Sequence, residues 1–484
     1  MEILHISAEC YPAAKAGGLG DVVGALPKYL NKIGTKAGVV IPKYGTKWIN
    51  QQTFIPVFKG AIRIHQEYIP FTIEKEKTDQ LGFSLFVANI PGKFNRPGVY
   101  ADEAGHPYYD ELSRSLAFQQ AVLQWVQASP GKPKVLHCHD HHTALIPFMV
   151  KYCPEYQSLA HIPTAFTIHN GEYHGSFGWD SLYLLPFFEA GARVLLDWNN
   201  GINPLAVAIK CAWRITTVSP SYLEELKVNA NGLESLITHE QHKAYGILNG
   251  IDNQVWDPRT DPYIATQLGN DMEAFKSYNK QVLGQHFKVD LNTPIITFIG
   301  RLVREKGADL IPDLVRRILH SGIGVSFVIL GTGEPYLHDI FRQLTYEFPG
   351  RFDAALEYNE QLAHQLYAGS DYLFMPSRVE PCGLNQMYAM RYGTLPIVRS
   401  VGGLKDTVPD IGEPGGHGCG IRFDHFTLED AFLAIYRSNE FFRQKEDFQA
   451  VRVRISKVDF SWEQSATAYN NIYQQMIAIA HAVS

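Results

Sequence analysis

The stretch Lys15-Ala-Gly-Gly-Leu-Gly-Asp21 stands between a short apolar run and a segment with helical periodicity. Glycines without Cβ let backbone N–H groups approach a phosphate, and a helix N-terminus adds positive potential there. Gly18, Gly20 and Gly24 give GxGxxxG, not a dinucleotide fingerprint, and the next strand, Gly38–Pro42, has no acidic residue to hold a ribose. A tight turn that needs glycine explains the loop equally well. His137-Cys-His-Asp-His-His142 offers metal-ligand residue types, but HxHDHH is not the HxHxDH of di-zinc hydrolases. On a strand His137 and His139 share one face and Asp140 stands at the strand end, where open α/β sheets bind ligands. Substrate-binding polar groups are therefore favoured over a metal, with His137 read as a satisfied core histidine. Thr167-Ile-His-Asn170 ends another strand with a histidine that serves structure or function equally well. Arg301 and Lys306 are two cations at a strand end, suited to a diphosphate or to solvent. Glu380-Pro-Cys-Gly-Leu-Asn385 puts a carboxylate before a helix N-terminus, able to accept sugar hydroxyls or merely to cap.

The elements that must hold these groups alternate strand and helix. Ile3–Ser7, Val135–His139, Thr164–His169 and Arg214–Val218 read as buried strands, and Asp21–Ile33 as a helix. The pattern restarts near Pro294 with Ile295–Ile299, a helical stripe through Leu310, Leu314 and Ile318, and strands at Val325–Leu330, Asp371–Met375 and Leu395–Val398. A chain of 484 residues admits about three domains, but this restart favours two doubly wound α/β domains with a border near Tyr245. Ser461 and Gln464 form a capping box before a last helix with Trp462, Tyr469, Ile472, Tyr473 and Met476 on one face.

Composition narrows the function classes. Lys and Arg number 43 against 49 Asp and Glu, and a net charge of −6 lacks the basic face a nucleic-acid binder needs. No apolar run approaches the ~20 residues of a membrane span. The start, Met-Glu-Ile-Leu-His, has no signal-peptide pattern, and six scattered cysteines without CxxC pairs read as reduced and cytoplasmic.

Taken together, these blocks closely resemble bacterial glycogen synthases and plant starch synthases, retaining glycosyltransferases of the GT-B fold that use ADP-glucose. The resemblance rests on Lys15–Val22, His137–His142, Thr167–Asn170, Thr217–Tyr222, Gly246–Asp252, Gly300–Gly307 and Pro376–Val398, with Gly402–Gly403, in family order along nearly the whole chain. It implies two Rossmann-like domains facing across a cleft: 1–245, completed by 461–484 crossing back, and 246–460 for the nucleotide sugar. It implies transfer of α-glucose from ADP-glucose to the non-reducing 4-hydroxyl of an α-1,4-glucan, with no metal or other cofactor. Asp140, His169 and Glu380 would hold the glucosyl group, and Arg301 and Lys306 the diphosphate. Lys15, Gly17 and Gly18, with Asp21 nearby, would face donor phosphate and acceptor. Asn249 and Tyr358 would meet the nucleotide, and Cys382, Gly383, Leu384 and Asn385 would close over the distal phosphate. Rival readings are a UDP-glucose or small-acceptor enzyme of the same fold and a catalytically silent glucan-binding protein. The sequence departs from the family at His141 (Trp), Phe94 (Tyr), Gly171–Gly175, and Tyr388, where broader glycosyltransferase patterns carry Glu. It leaves the oligomeric state open.

Overall fold

Apolar runs of a few residues become strands buried on both faces, as parallel strands covered by helices require. The computed structural model describes residues 1–64, 67–102 and 106–483. The chain divides into two compact units: residues 1–250 with the segment from Trp462, and residues 251–461.

The first unit is built on β1 (Ile3–Ile6), β2 (Ala37–Pro42), β3 (Phe54–Ile64), β4 (Glu67–Glu76), β5 (Ser84–Asn89), β6 (Val135–His139), β7 (Thr164–Ile168), β8 (Arg214–Thr217) and β9 (Ala244–Gly246). Their order is β9-β8-β7-β6-β1-β2-β5-β4-β3. β3–β4 and β4–β5 are antiparallel and the other pairs parallel. The edge strand β3 carries Pro56 beside a break in register, a position where a missing N–H costs the ladder nothing. Helix α1 (Gly18–Lys32) buries Leu19, Val22, Val23, Leu26, Tyr29 and Leu30, a stripe with helical spacing. Helix α2 (Glu111–Ala128) packs against the antiparallel edge.

In the second unit β10 (Ile295–Ile299), β11 (Ser326–Leu330), β12 (Phe352–Ala355), β13 (Tyr372–Met375), β14 (Leu395–Arg399) and β15 (Ile421–Phe423) are all parallel. Their order is β12-β11-β10-β13-β14-β15. Helices include α3 (Ile311–His320), which buries Ile311, Leu314, Val315 and Ile318, and α4 (Asn385–Arg391).

Helix α5 (Trp462–Val483) returns to the first unit. Trp462, Tyr469, Ile472, Tyr473 and Met476 join Val22, Leu26, Tyr29 and Leu30 of α1 in one core. The capping box expected at its start is not formed as drawn: the Ser461 N–H donates to Asp459 Oδ1 at 2.8 Å, the place Gln464 would have taken. Asp459 is two residues away and reaches the amide through a tighter local turn.

Each sheet reverses its winding once. In the first, the chain runs from β1 to β2 on one side and comes back to β6 on the other; in the second, β10 leads to β11 and β12 before β13 appears on its far side. The loops leaving β1 and β6, and those leaving β10 and β13, therefore diverge at a topological switch point, where such sheets bind ligands.

The second unit also contains a polar knot with a stability consequence. Buried Asp261 accepts hydrogen bonds from His364 Nδ1 at 2.7 Å and from the Tyr392 hydroxyl. The Trp256 ring stacks with His364 at 4.0 Å and with Tyr388 at 3.8 Å. That stacking gives Tyr388 a packing role that a glutamate could not fill. Asp261→Ala strands two buried partners and is expected to lower the urea-unfolding free energy of this unit by about 2–4 kcal/mol. A change below about 0.5 kcal/mol would mean that solvent satisfies both groups equally well.

Candidate functional site

In the first unit the loop after β1 folds around a carboxylate. Glu9 is buried, its Oε2 accepting the Ala16 and Gly17 N–H groups at 2.6 and 2.9 Å and its Oε1 the Tyr100 hydroxyl at 2.6 Å. The Gly17 amide, read from sequence as facing a phosphate, is thus already committed to Glu9. A Cβ at Gly17 or Gly18 would meet no atom of the described residues within 4 Å. Lys15 Nζ pairs with Asp21 at 2.7 Å in the first turn of α1, and both side chains remain partly exposed.

Beyond β6, Asp140 takes φ 56° and ψ 179°, a region that is essentially glycine's and costs about 1–3 kcal/mol. Such strain persists only where surroundings fix it, and here Asp140 Oδ1 accepts the His169 N–H at 2.7 Å. Burial pushes the Asp140 carboxyl up to about 7, against the opposing pull of the His169 and Asn170 N–H groups. An ordinary aspartate titrates near 3.9. Between about pH 4 and 7 the native chain therefore holds a proton that the unfolded chain has lost, so this group's contribution to stability falls as pH rises through that window. Asp140→Asn is expected to gain stability relative to wild type between pH 5 and pH 8 in urea titrations. The same difference at both pH values would mean that Asp140 titrates normally.

Histidines from adjacent strands meet behind Asp140. His139 lies between His5 Nδ1, 3.0 Å from its Nε2, and His169 Nε2, 2.9 Å from its Nδ1. His137 is satisfied in the core, as its residue type and place suggest: its nitrogens lie 2.6 Å from the Tyr473 hydroxyl and from Thr167 Oγ1. Among the described residues two trios bring metal-ligand atoms close together, His5–His137–His139 and Glu111–His141–His142. In the first, the ring nitrogens are engaged with one another and with hydroxyls, apart from His5 Nε2, which is sealed away. In the second, His141 and His142 Nε2 approach Glu111 Oε1 at 3.6 and 3.2 Å while both Nδ1 atoms are buried without a partner among the described residues. Ligation through Nε2 would force a proton onto each Nδ1 with no acceptor, against the outer-shell bond that metal-bound histidines make. His141 close by, and His142 through its hydrogen bond, instead hold the Glu111 carboxyl well below the usual range.

The departures from the family pattern have local causes. His141 packs on Gly175, whose φ is +69° and whose Cβ would stand 2.7 Å from the ring. His174 is fixed between the Gly171 carbonyl and the Asn203 amide, each 3.0 Å away. Phe94 is buried edge-on to Tyr44 and beside Arg114, next to a cavity of about 10 Å³. Asn249 belongs to the first unit, and its Oδ1 is buried without a hydrogen-bond partner among the described residues.

In the second unit the loops after β10 and β13 meet directly. Lys306 Nζ reaches Glu380 Oε1 at 2.8 Å, and Ser377 Oγ donates to Glu380 Oε2 at 2.8 Å. Gly307 makes this approach possible: its φ is +72°, and a Cβ there would sit 2.1 Å from the Pro376 carbonyl. Arg399 braces the β13 loop by donating to the Ser377 and Arg378 carbonyls. Arg301 stands 58% exposed, its guanidinium 3.5 Å from Glu305. Cys382 is buried, and Gln386 donates to its carbonyl, to that of Gly383 and to Thr407 Oγ1. Leu384 immediately precedes α4, and Asn385 Nδ2 donates to the Ile299 carbonyl at 2.8 Å. Tyr358 is 79% exposed. Two cations, an oriented carboxylate and a short helix start can together meet a diphosphate and a sugar hydroxyl. Glu9 and His5 escape the sequence reading because Tyr100 and His139 are brought near them only by the fold, whereas Ser377 and Gln386 escape it although Glu380 and Cys382 lie within four residues of them.

Comparison with known proteins gives a consistent result. Residues 2–239 match the family described as starch synthase catalytic domain, and residues 280–415 match glycosyl transferases group 1. The chain is 46% identical to a glycogen synthase of Flavobacterium johnsoniae over 99% of both chains. It is 37% identical to a glycogen synthase of Anoxybacillus flavithermus, covering 99% of this chain and 98% of that one. Among solved structures it is similar to the catalytic domain of starch synthase IV from Arabidopsis thaliana bound to ADP and acarbose, with TM-score 0.87, 30% identity and 99% of both chains covered. A likeness to sucrose-phosphate synthase from Thermosynechococcus elongatus, TM-score 0.61 at 16% identity over 99% of both chains, concerns the fold alone.

Proposed function

This chain belongs to the glycogen synthase and starch synthase family of glycosyltransferases, and from that premise we propose that it transfers α-glucose from ADP-glucose to the non-reducing 4-hydroxyl of an α-1,4-glucan, with retention. The observation that carries the reading is the Lys306–Glu380–Ser377 cluster at the switch point of the second unit. As the donor's C1–O bond to phosphate breaks, positive charge grows at C1 and negative charge on the diphosphate. Lys306 and Arg301 answer the second charge, and each well-placed group can contribute about 3–4 kcal/mol to barrier lowering. The new bond joins C1 to the glucan oxygen on the same face, and the glucan hydroxyl's proton passes to the leaving diphosphate. No carboxylate nucleophile enters this scheme, which leaves Asp140 to hold a sugar hydroxyl.

The remaining residues take roles around that step. Glu380, oriented through both oxygens, accepts hydroxyls of the glucosyl group, and in the first unit Asp140 and His169 are assigned to sugar hydroxyls. Cys382, Gly383, Leu384 and Asn385 bound the distal phosphate, while Asn249 and Tyr358 meet the nucleotide. Lys15, Gly17, Gly18 and Asp21 face phosphate and acceptor, with Lys15 rather than the Gly17 amide supplying the charge. Residues 1–250 with 462–484, a border a few residues beyond the one expected from sequence, act as the acceptor-side domain and 251–461 as the nucleotide-sugar domain. Neither metal nor organic cofactor takes part. We place the enzyme in the cytoplasm: its six cysteines are free and buried, and among the described residues no helix is long and apolar enough to cross a membrane.

A transfer assay with radiolabelled ADP-glucose and UDP-glucose, each offered with glycogen, tests the reading. Label is expected in polymer from ADP-glucose at a kcat/KM well above that from UDP-glucose. Preference for UDP-glucose, or label only in a small product, would overturn it, and absence of transfer would point to a silent glucan binder.

A further inference from the structure

Three neighbouring strands each deliver one histidine to a line behind Asp140. His5 lies on β1, His139 on β6, and His169 directly follows β7. His5 and His139 are fully buried, and His169 is 8% exposed at the outer end. The line is joined by two hydrogen bonds, His5 Nδ1 to His139 Nε2 at 3.0 Å and His139 Nδ1 to His169 Nε2 at 2.9 Å. Burial pushes His5 and His169 down to about 3 and His139 well below its ordinary value, so each ring carries one proton at neutral pH. His137 stacks on His139 at 4.1 Å but spends both nitrogens on Tyr473 and Thr167 and stays outside the line.

One proton per ring and two hydrogen bonds leave two arrangements. With the protons ordered inward, His169 Nε2–H donates to His139, His139 Nε2–H donates to His5, and the last proton sits on His5 Nε2. That atom is sealed from solvent and has no partner among the described residues. With the protons ordered outward, His5 Nε2 is left only a bare lone pair. Buried N–H groups without an acceptor are rarer than buried acceptors left short of a donor. We infer that the outward order holds, so that His5 and His139 are positioning residues that fix His169 as an Nδ1–H donor towards a sugar hydroxyl. The sugar in that statement rests on the proposed function; the proton order does not. A neutral His169 locked as a donor cannot receive the glucan hydroxyl's proton, which leaves the diphosphate as its destination.

The order can be read without substrate. In the full chain labelled with ¹⁵N-histidine, long-range proton–nitrogen correlation reports which ring nitrogen of His169 is protonated, with the signal assigned by its loss in His169→Gln. Protonated Nδ1 is expected, and protonated Nε2 overturns the inference. A pair of variants adds a kinetic readout. His139→Asn places an amide donor where Nδ1–H lay, whereas His139→Asp places an acceptor there and invites the His169 proton to Nε2. The Asn variant is expected to keep donor-sugar kcat/KM within about tenfold, and the Asp variant to lose about 100-fold or more, the range of one misdirected donor. Equal activity in the two variants overturns the inference. Should the buried aspartate unfold the chain, the wild-type spectrum still decides. If the transfer reading failed, the kinetic difference would vanish while the Nδ1 signal remained.

Discussion

Replacing Lys306 with alanine is expected to lower kcat by about 100-fold or more, with a smaller change in KM. The lysine holds one oxygen of Glu380 while Ser377 holds the other, so the ammonium is fixed before any ligand arrives. A cation fixed in that way costs little reorganisation when the diphosphate gains charge, which confines its benefit to the transition state. Its loss also leaves the Glu380 carboxylate with Ser377 as its remaining partner beside a leaving anion. Arg301→Ala should change kcat in the same direction, although the wild-type guanidinium is far more exposed. Steady-state kinetics with donor and glucan varied separately would check the assignment. A wild-type kcat with only a raised KM would place Lys306 in ground-state binding. A chelator is expected to leave activity intact in both proteins.

Deleting residues 462–484 is expected to abolish transfer and leave the first unit unable to fold. The deletion removes Trp462, Tyr469, Ile472, Tyr473 and Met476, all buried against α1 and the first sheet. At about 1.5–3 kcal/mol for each large apolar side chain, the loss approaches about 10 kcal/mol. That is comparable with the whole stability of a typical domain, about 5–15 kcal/mol. Polar ties go with it: the Tyr473 hydroxyl to His137 and Ser465 Oγ to the Leu248 carbonyl. Circular dichroism and proteolysis of the truncated chain would show the change. A soluble, active truncation would mean that the helix merely covers a core already stable without it.

What the sequence makes legible is what short-range chemistry fixes. Val135–His139 and Ile295–Ile299 match their strands residue for residue, because short runs rich in apolar residues suit the buried interior of a parallel sheet even where His137, His139 or Thr297 interrupts them. The antiparallel strands between residues 54 and 89 escape that reading. Pro56 and Gly60 interrupt β3, and they are harmless only because β3 is an edge strand, a fact of topology. The candidate site divides in the same way. Strand-end positions bring out Asp140, His169, Lys306 and Glu380. Glu9 stays hidden because Ala16, Gly17 and Tyr100 make it meaningful, and Tyr100 lies 91 residues along the chain. His5 reads as one more residue of an apolar strand until His139 is beside it.

The return of α5 to the first unit sets an order of events during synthesis. Translation runs from the N-terminus, so the second unit, an unbroken stretch of chain, leaves the ribosome before the helix that completes the first. At about 5–20 residues per second, its roughly 200 residues take about 10–40 s to make. For that interval the α1 face that will receive Trp462 and Tyr473 has no cover from its own chain. The unit begun first is finished last, and the nascent first unit must keep an apolar surface from other chains while its neighbour folds.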